Sequence, residues 1–183
     1  KIHRTLKTQR LRLYFQDEAR IWQKGRVCHI WWKRGERPPG LLDQRYVNAY
    51  IYAAIEPGTD NAFALILPDA NRVAMQAFLD AFAETIANGE HVALVLDGDG
   101  WHSSKALRVP ASITLVPLPP YSPELNPVER VWLHLKARFL SLRLLNDYKA
   151  IVTAASRAWR RLRRDTGRLT SLTSYPWIMK IQQ

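Results

Sequence analysis

Cysteine is nearly absent from this 183-residue chain. Cys28 stands alone, which excludes an intrachain disulfide and argues against a cysteine-based zinc site. Long apolar runs are missing too: stretches such as 62–67 and 91–96 fall far short of the ~20 residues a membrane span needs. Acidic charge is scarce, with 16 Asp+Glu against 27 Lys+Arg, a net +11 with histidines neutral. Neither a glycine-rich phosphate loop nor a dinucleotide fingerprint occurs, so NTP and nicotinamide chemistry have no support. Residue 1 is lysine, and no signal-like leader follows it, as expected of a fragment.

What is present is enough for a core. Hydrophobic residues make up 47%, and seven tryptophans are spread from Trp22 to Trp177, which excludes disorder for most of the chain. The length suits one domain with at most a short appendage. The basic surplus points to a polyanionic partner, with nucleic acid the leading candidate.

Residues 1–10 are basic and polar, and read as a remnant or linker ahead of a domain over 11–183. Leu11, Leu13 and Phe15 then alternate with Arg12, Tyr14 and Gln16, a period of two that predicts a strand ending at Asp17-Glu18. Further strands are expected over 26–33, 46–55 and 62–67, joined by short turns into an antiparallel meander. Between 71 and 88 the positions Met75, Phe78, Leu79, Phe82 and Ile86 form a helical stripe, with Asn88-Gly89 as its stop. The continuous apolar run 92–96 suits a strand buried on both faces. A helical turn within 98–105 and a strand over 113–116 follow. After Pro117, Pro119, Pro120 and Pro123 comes a long helix carrying Val128, Val131, Trp132, Leu135, Phe139 and Leu142 on one side. A last helix, about 147–164, buries Ile151, Ala155, Trp159 and Leu162. This order predicts an α/β fold, a mixed sheet with helices packed on it.

Three acidic residues stand out by place. Asp17 ends the first strand, Asp97 ends the apolar run, and Glu129 begins the long helix. Sites in open α/β sheets form outside the carboxyl ends of strands, and adjacent central strands would bring Asp17 beside Asp97. Such a cluster repels itself unless cations neutralise it, and carboxylates suit hard ions such as Mg²⁺ or Mn²⁺. Each residue has a plainer reading. Asp17 and Asp97 could serve turns, and Asn126-Pro127-Val128-Glu129 has a capping-box pattern. A calcium loop starting at Asp97-Gly98-Asp99-Gly100 fails, because its twelfth position is Arg108, and Asp99 is an acidic neighbour of Asp97.

The strings are more specific than the spacing. Phe15-Gln16-Asp17-Glu18-Ala19-Arg20, then Leu96-Asp97-Gly98 with His102, then Leu118-Pro119-Pro120-Tyr121-Ser122-Pro123-Glu124-Leu125-Asn126-Pro127-Val128-Glu129 resemble a DDE transposase. The resemblance is to the bacterial insertion-sequence branch of the mariner-like superfamily, and it covers residues 11–142. It implies an RNase H-like fold, in which Asp17, Asp97 and Glu129 bind two Mg²⁺ or Mn²⁺ ions. It further implies cleavage at transposon ends and strand transfer into target DNA. Double-stranded DNA is then the partner, the full-length protein acts as a homodimer, and its place is the bacterial cytoplasm at the nucleoid. His102 matches a site neighbour. Two departures are visible: Gly98 stands where many relatives carry asparagine, and residues 1–10 are too few to hold the helix-turn-helix region that such transposases usually carry. The rival readings are another RNase H-like nuclease and a non-enzymatic DNA-binding remnant of a transposase.

Arg157, Arg160, Arg161 and Arg164 share a helical face, flanked by Arg163 and Arg168, and are candidates for phosphate contact. A solvated face is the alternative. Lys1, Arg4, Lys7, Arg10 and Arg12 offer a second basic segment. Trp101 is placed to stack on a base, whereas Trp31, Trp32, Trp132 and Trp159 read as core.

Overall fold

The computed structural model describes residues 10–23, 31–36, 47–98, 107–120, 122–141 and 143–181. Five strands form one sheet: β1 (Arg10–Trp22), β2 (Asn48–Ile55), β3 (Ala62–Leu67), β4 (Glu90–Leu96) and β5 (Ile113–Pro117). Their order is β3-β2-β1-β4-β5. The first three pair antiparallel, as the expected meander, while β4 pairs parallel to β1 and β5 parallel to β4. The helices are α1 (Arg72–Ala83), α2 (Val128–Leu135), α3 (Tyr148–Arg164), α4 (Arg168–Thr173) and α5 (Pro176–Ile181).

Alternation along the strands builds two cores. Tyr14, Tyr52, Val92, Leu94 and Leu96 face α1 and its stripe of Met75, Phe78, Leu79 and Phe82. Phe15, Ala19, Ile21, Ile51 and Val95 face the other way, onto Val128, Val131, Trp132 and Leu135 of α2 and Ile151, Ala155 and Leu162 of α3. The sheet is therefore covered on both faces, which explains why β4 reads as a continuous apolar run.

Several expectations need correction. β1 does not end at Asp17: β2 pairs with it as far as Trp22↔Asn48, so the acidic pair lies inside the strand. Helix α1 stops at Ala83, because the Thr85 hydroxyl and N–H both turn back to the Phe82 carbonyl (2.7 and 2.9 Å). Gly89, with φ of 83°, instead makes the turn into β4. The long helix is α-helical only to Leu135 and continues as a π-helical turn, Lys136–Leu140. Trp31 is fully exposed and Trp32 half-exposed, on a segment without strand structure at 31–36, while Trp132 is buried and Trp159 partly so. The rest of the strand expected over 26–33, the turn expected within 98–105, Lys1, Arg4 and Lys7 lie outside the described residues.

Two short helices, α4 and α5, were not signalled by periodicity. The turn after β2 anchors α4: Asp60 accepts from the Gly167 and Thr170 N–H groups, and the Gly58 N–H donates to Thr173 Oγ1 at 3.2 Å. Helix α5 covers β1 through an edge-on contact between Trp177 and Phe15, with ring centroids 6.3 Å apart.

Candidate active site

The central strand is shared between two partners. Its first half pairs with β4 up to Phe15↔Val95, and its second half pairs with β2 from Phe15↔Ile55 onward. The β1–β4 register has a constant offset of 80, so Asp97, two residues past Val95, comes level with Asp17, two past Phe15. Partners in register on parallel strands point to the same face. The parallel ladder ends where the two aspartates begin. That is the expected outcome for a site outside the carboxyl end of a strand, here β4 rather than β1.

Helix α2 brings the third carboxylate. Its start is fixed by Asn126, which is buried and bridges two elements: its Oδ1 accepts from the Val128 N–H (3.2 Å) and its Nδ2 donates to the Gln16 carbonyl (3.1 Å). The residue before Asp17 is thereby tied to the helix carrying Glu129. The capping-box alternative for Glu129 does not hold, because the Asn126 N–H already donates to the Pro123 carbonyl at 2.9 Å. Glu129 is exposed and lines the cleft.

Asp17, Asp97 and Glu129 line one cleft of about 380 Å³, together with Gly98, Leu118, Pro119, Pro120, Ser122, Pro123 and Asn126. The proline-rich string thus forms a wall of the cleft, and three stretches far apart in sequence meet there. Asp17 is only 8% exposed. Both its oxygens accept hydrogen bonds: Oδ1 from the Glu18 N–H and Oδ2 from Trp132 Nε1, each at 2.9 Å. Burial pushes its carboxyl well above the ordinary range, the negative charges of Glu129, Glu18 and Asp97 push it further, and the indole hydrogen bond opposes them. Among the described residues no three His, Cys, Asp or Glu side chains are drawn into a closed ligand set. The all-oxygen donor set that the three carboxyl groups offer, open to water, suits a hard divalent cation.

Sequence reasoning missed the part played by Trp132, which read only as core. Its apolar spacing was visible, but nothing local signals that its N–H reaches Asp17. The departure at Gly98 has no backbone cause: its φ is not left-handed, and a Cβ would sit an ordinary 4.0 Å from the Leu118 carbonyl. His102, Trp101 and Asp99 lie outside the described residues. Arg157, Arg160, Arg161 and Arg164 are exposed on α3, as the helical spacing predicted. Arg157 also borders a groove with Arg143 and Lys149. Arg163 is turned aside to the Ala62 carbonyl.

A meander continued by parallel strands, with a carboxylate-lined cleft where the parallel ladder ends, has the architecture of an RNase H-like domain. Residues 12–152 match the DDE superfamily endonuclease family, and the chain belongs to that family. It is 40% identical over 129 residues to the uncharacterized protein y4pE/y4sA of Sinorhizobium fredii, an alignment covering 70% of this chain and 96% of that one. Its fold is similar to that of the mariner Mos1 paired-end complex with Mg (TM-score 0.62, 14% identity) and of the Mos1 strand transfer complex (TM-score 0.60, 14% identity). These likenesses cover 90% of this chain and 56% and 55% of the solved chains, so the chain spans a little over half their length. No helix among the described residues is long and apolar enough to cross a membrane.

Proposed function

We propose that residues 11–183 are the catalytic domain of a DNA transposase, which cleaves phosphodiesters at transposon ends and transfers the freed strand into target DNA. Residues 1–10 would be a basic linker. The observation that carries this reading is the meeting of Asp17, Asp97 and Glu129 at one cleft in a chain of the DDE endonuclease family. Asp17, Asp97 and Glu129 are the residues that would hold two Mg²⁺ or Mn²⁺ ions. When bound, such a pair supplies an activated water or 3′-hydroxyl and a clamp on the leaving oxygen of an in-line displacement.

The chain's own contribution is placement. Asp17 is held on a rigid central strand, Asp97 follows the neighbouring strand, and Glu129 projects from a helix fastened to β1 by Asn126. The proline wall fixes the side of the cleft without flexible side chains that would have to be ordered around a phosphodiester. Arg157, Arg160, Arg161 and Arg164 would meet phosphates of double-stranded DNA, and His102 would neighbour the site. The reading includes homodimerisation of the full-length protein on DNA and a bacterial, nucleoid-associated location. All three acidic positions are intact, which speaks against a non-enzymatic remnant. The proline-rich string before Glu129 speaks against a nuclease acting on RNA–DNA hybrids.

The test is Mn²⁺-dependent nicking of supercoiled and terminal-repeat duplex DNA. Asp97→Asn should reduce cleavage to background while leaving duplex binding in a gel-shift assay unchanged, and Asp99→Asn should cleave at close to the unsubstituted rate. Undiminished cleavage by Asp97→Asn would overturn the assignment.

A further inference from the structure

A carboxylate on a short side chain turns easily about its last bond, whose torsional preference is broad. Asp17 is denied that freedom. Its two oxygens are held from different directions, one by the Glu18 N–H of its own strand and the other by the indole N–H of Trp132, both at 2.9 Å. Each oxygen has two lone pairs, so each keeps one for a ligand in the cleft that Asp17 lines. Trp132 follows Glu129 by three positions on α2, which puts both on neighbouring turns of one face. The helix that delivers one carboxylate therefore also orients another, and Asn126 ties that helix to β1 one residue before Asp17.

A buried tryptophan usually finds some acceptor for its N–H. The acceptor here is a carboxyl oxygen of a residue lining the cleft rather than a backbone carbonyl. Trp159 is the internal comparison: its ring lies 6.4 Å from that of Trp132, at the edge of the same core. We propose that Trp132 is a positioning residue, whose N–H fixes the Asp17 carboxylate for divalent-cation binding. This rests on the reading of Asp17, Asp97 and Glu129 as metal ligands.

The test uses the 183-residue chain and Mn²⁺ or Mg²⁺ alone. Trp132→Phe keeps a ring in the core but removes the donor. It should weaken Mn²⁺ binding, followed by calorimetry, by about 10–100-fold, the usual effect of losing a hydrogen-bond partner behind a metal ligand. Trp159→Phe should bind Mn²⁺ as the unsubstituted chain does, although it perturbs the same core. A Mg²⁺ titration of the unsubstituted chain, followed by the indole N–H resonances, needs no substitution and serves even if Trp132→Phe fails to fold. The Trp132 signal should move with saturation and the Trp159 signal should not. Full-strength Mn²⁺ binding by Trp132→Phe while Asp97→Asn abolishes it would overturn the positioning role alone, as would a Trp132 resonance that ignores bound Mg²⁺. Undiminished binding by Asp97→Asn would overturn the metal-site reading and the positioning role with it.

Discussion

Arg12 illustrates how single side chains hold this sheet together. Its guanidinium reaches both Glu56 oxygens at 3.0 and 2.6 Å and Glu90 Oε2 at 3.0 Å, joining β1 to the turn after β2 and to the start of β4. Burial pushes the Glu56 carboxyl up, but hydrogen bonds from Arg12, Asn61 and Thr59 outweigh it and hold the carboxyl below its ordinary range. A lowered folded value gives stability that is present above the unfolded value, about 4.3, and lost as pH falls through the folded one. Glu56→Gln should therefore cost about 2 kcal/mol at neutral pH, as expected for charged hydrogen bonds. The deficit should close as pH drops below about 4. Urea unfolding at pH 7 and pH 3 measures it, and an equal deficit at both values would refute the argument. The same scale shows what residue types reveal and conceal. Aspartate and glutamate in particular strings were enough to single out Asp17, Asp97 and Glu129. Trp132 was indistinguishable from any other core tryptophan, because its bond to Asp17 spans 115 positions.

Elements with a clear period were legible, and those defined by distant contacts were not. The stripes of α1 and α3 show in the sequence because one face of each helix is buried. The alternation of β1 shows because Leu13 and Phe15 are set against the polar Arg12 and Gln16, although Tyr14 and Gln16 on the second face are buried as well. The continuation of β1 past Asp17 was hidden, since two adjacent acids look like a turn until β2 is paired beside them. Helices α4 and α5, six residues each, are too short for periodicity, and Asp60 anchors the first of them from the far side of the chain. The arginine face of α3 was legible as a face, and its partner is the matter to test. If Arg157, Arg160, Arg161 and Arg164 meet phosphates, the logarithm of the duplex binding constant should fall with that of salt concentration by about 0.9 per phosphate neutralised. Replacing Arg157 and Arg161 by alanine should make that slope shallower by nearly two, about 1.8. An unchanged slope would return the face to solvent.

For the molecule as a whole, a net charge of +11 would make any association with duplex DNA a matter of counterion release. Phosphate contacts position a protein without conveying sequence. The 183-residue chain should therefore bind terminal-repeat and scrambled duplexes alike, with a Kd on the order of 10⁻⁴–10⁻⁶ M at physiological salt. A labelled-duplex titration at matched salt decides it, and a preference of a hundredfold, about 2.7 kcal/mol, would place sequence recognition within this domain.

The shared central strand also sets a timetable. A chain leaves the ribosome from its N-terminus, at about 5–20 residues per second. The β1–β2 pairing needs nothing beyond Ile55, so two of the five strands can pair early. Asp17 must then wait for Asp97 to arrive beside it, and for Glu129 after that, a further 112 positions from Asp17 in all (129 − 17). At those rates the delay is roughly 6–22 seconds. If Asp17, Asp97 and Glu129 form the cutting centre, it stays incomplete until Glu129 emerges, when 119 of the 173 positions of residues 11–183 have been made (129 − 10 and 183 − 10).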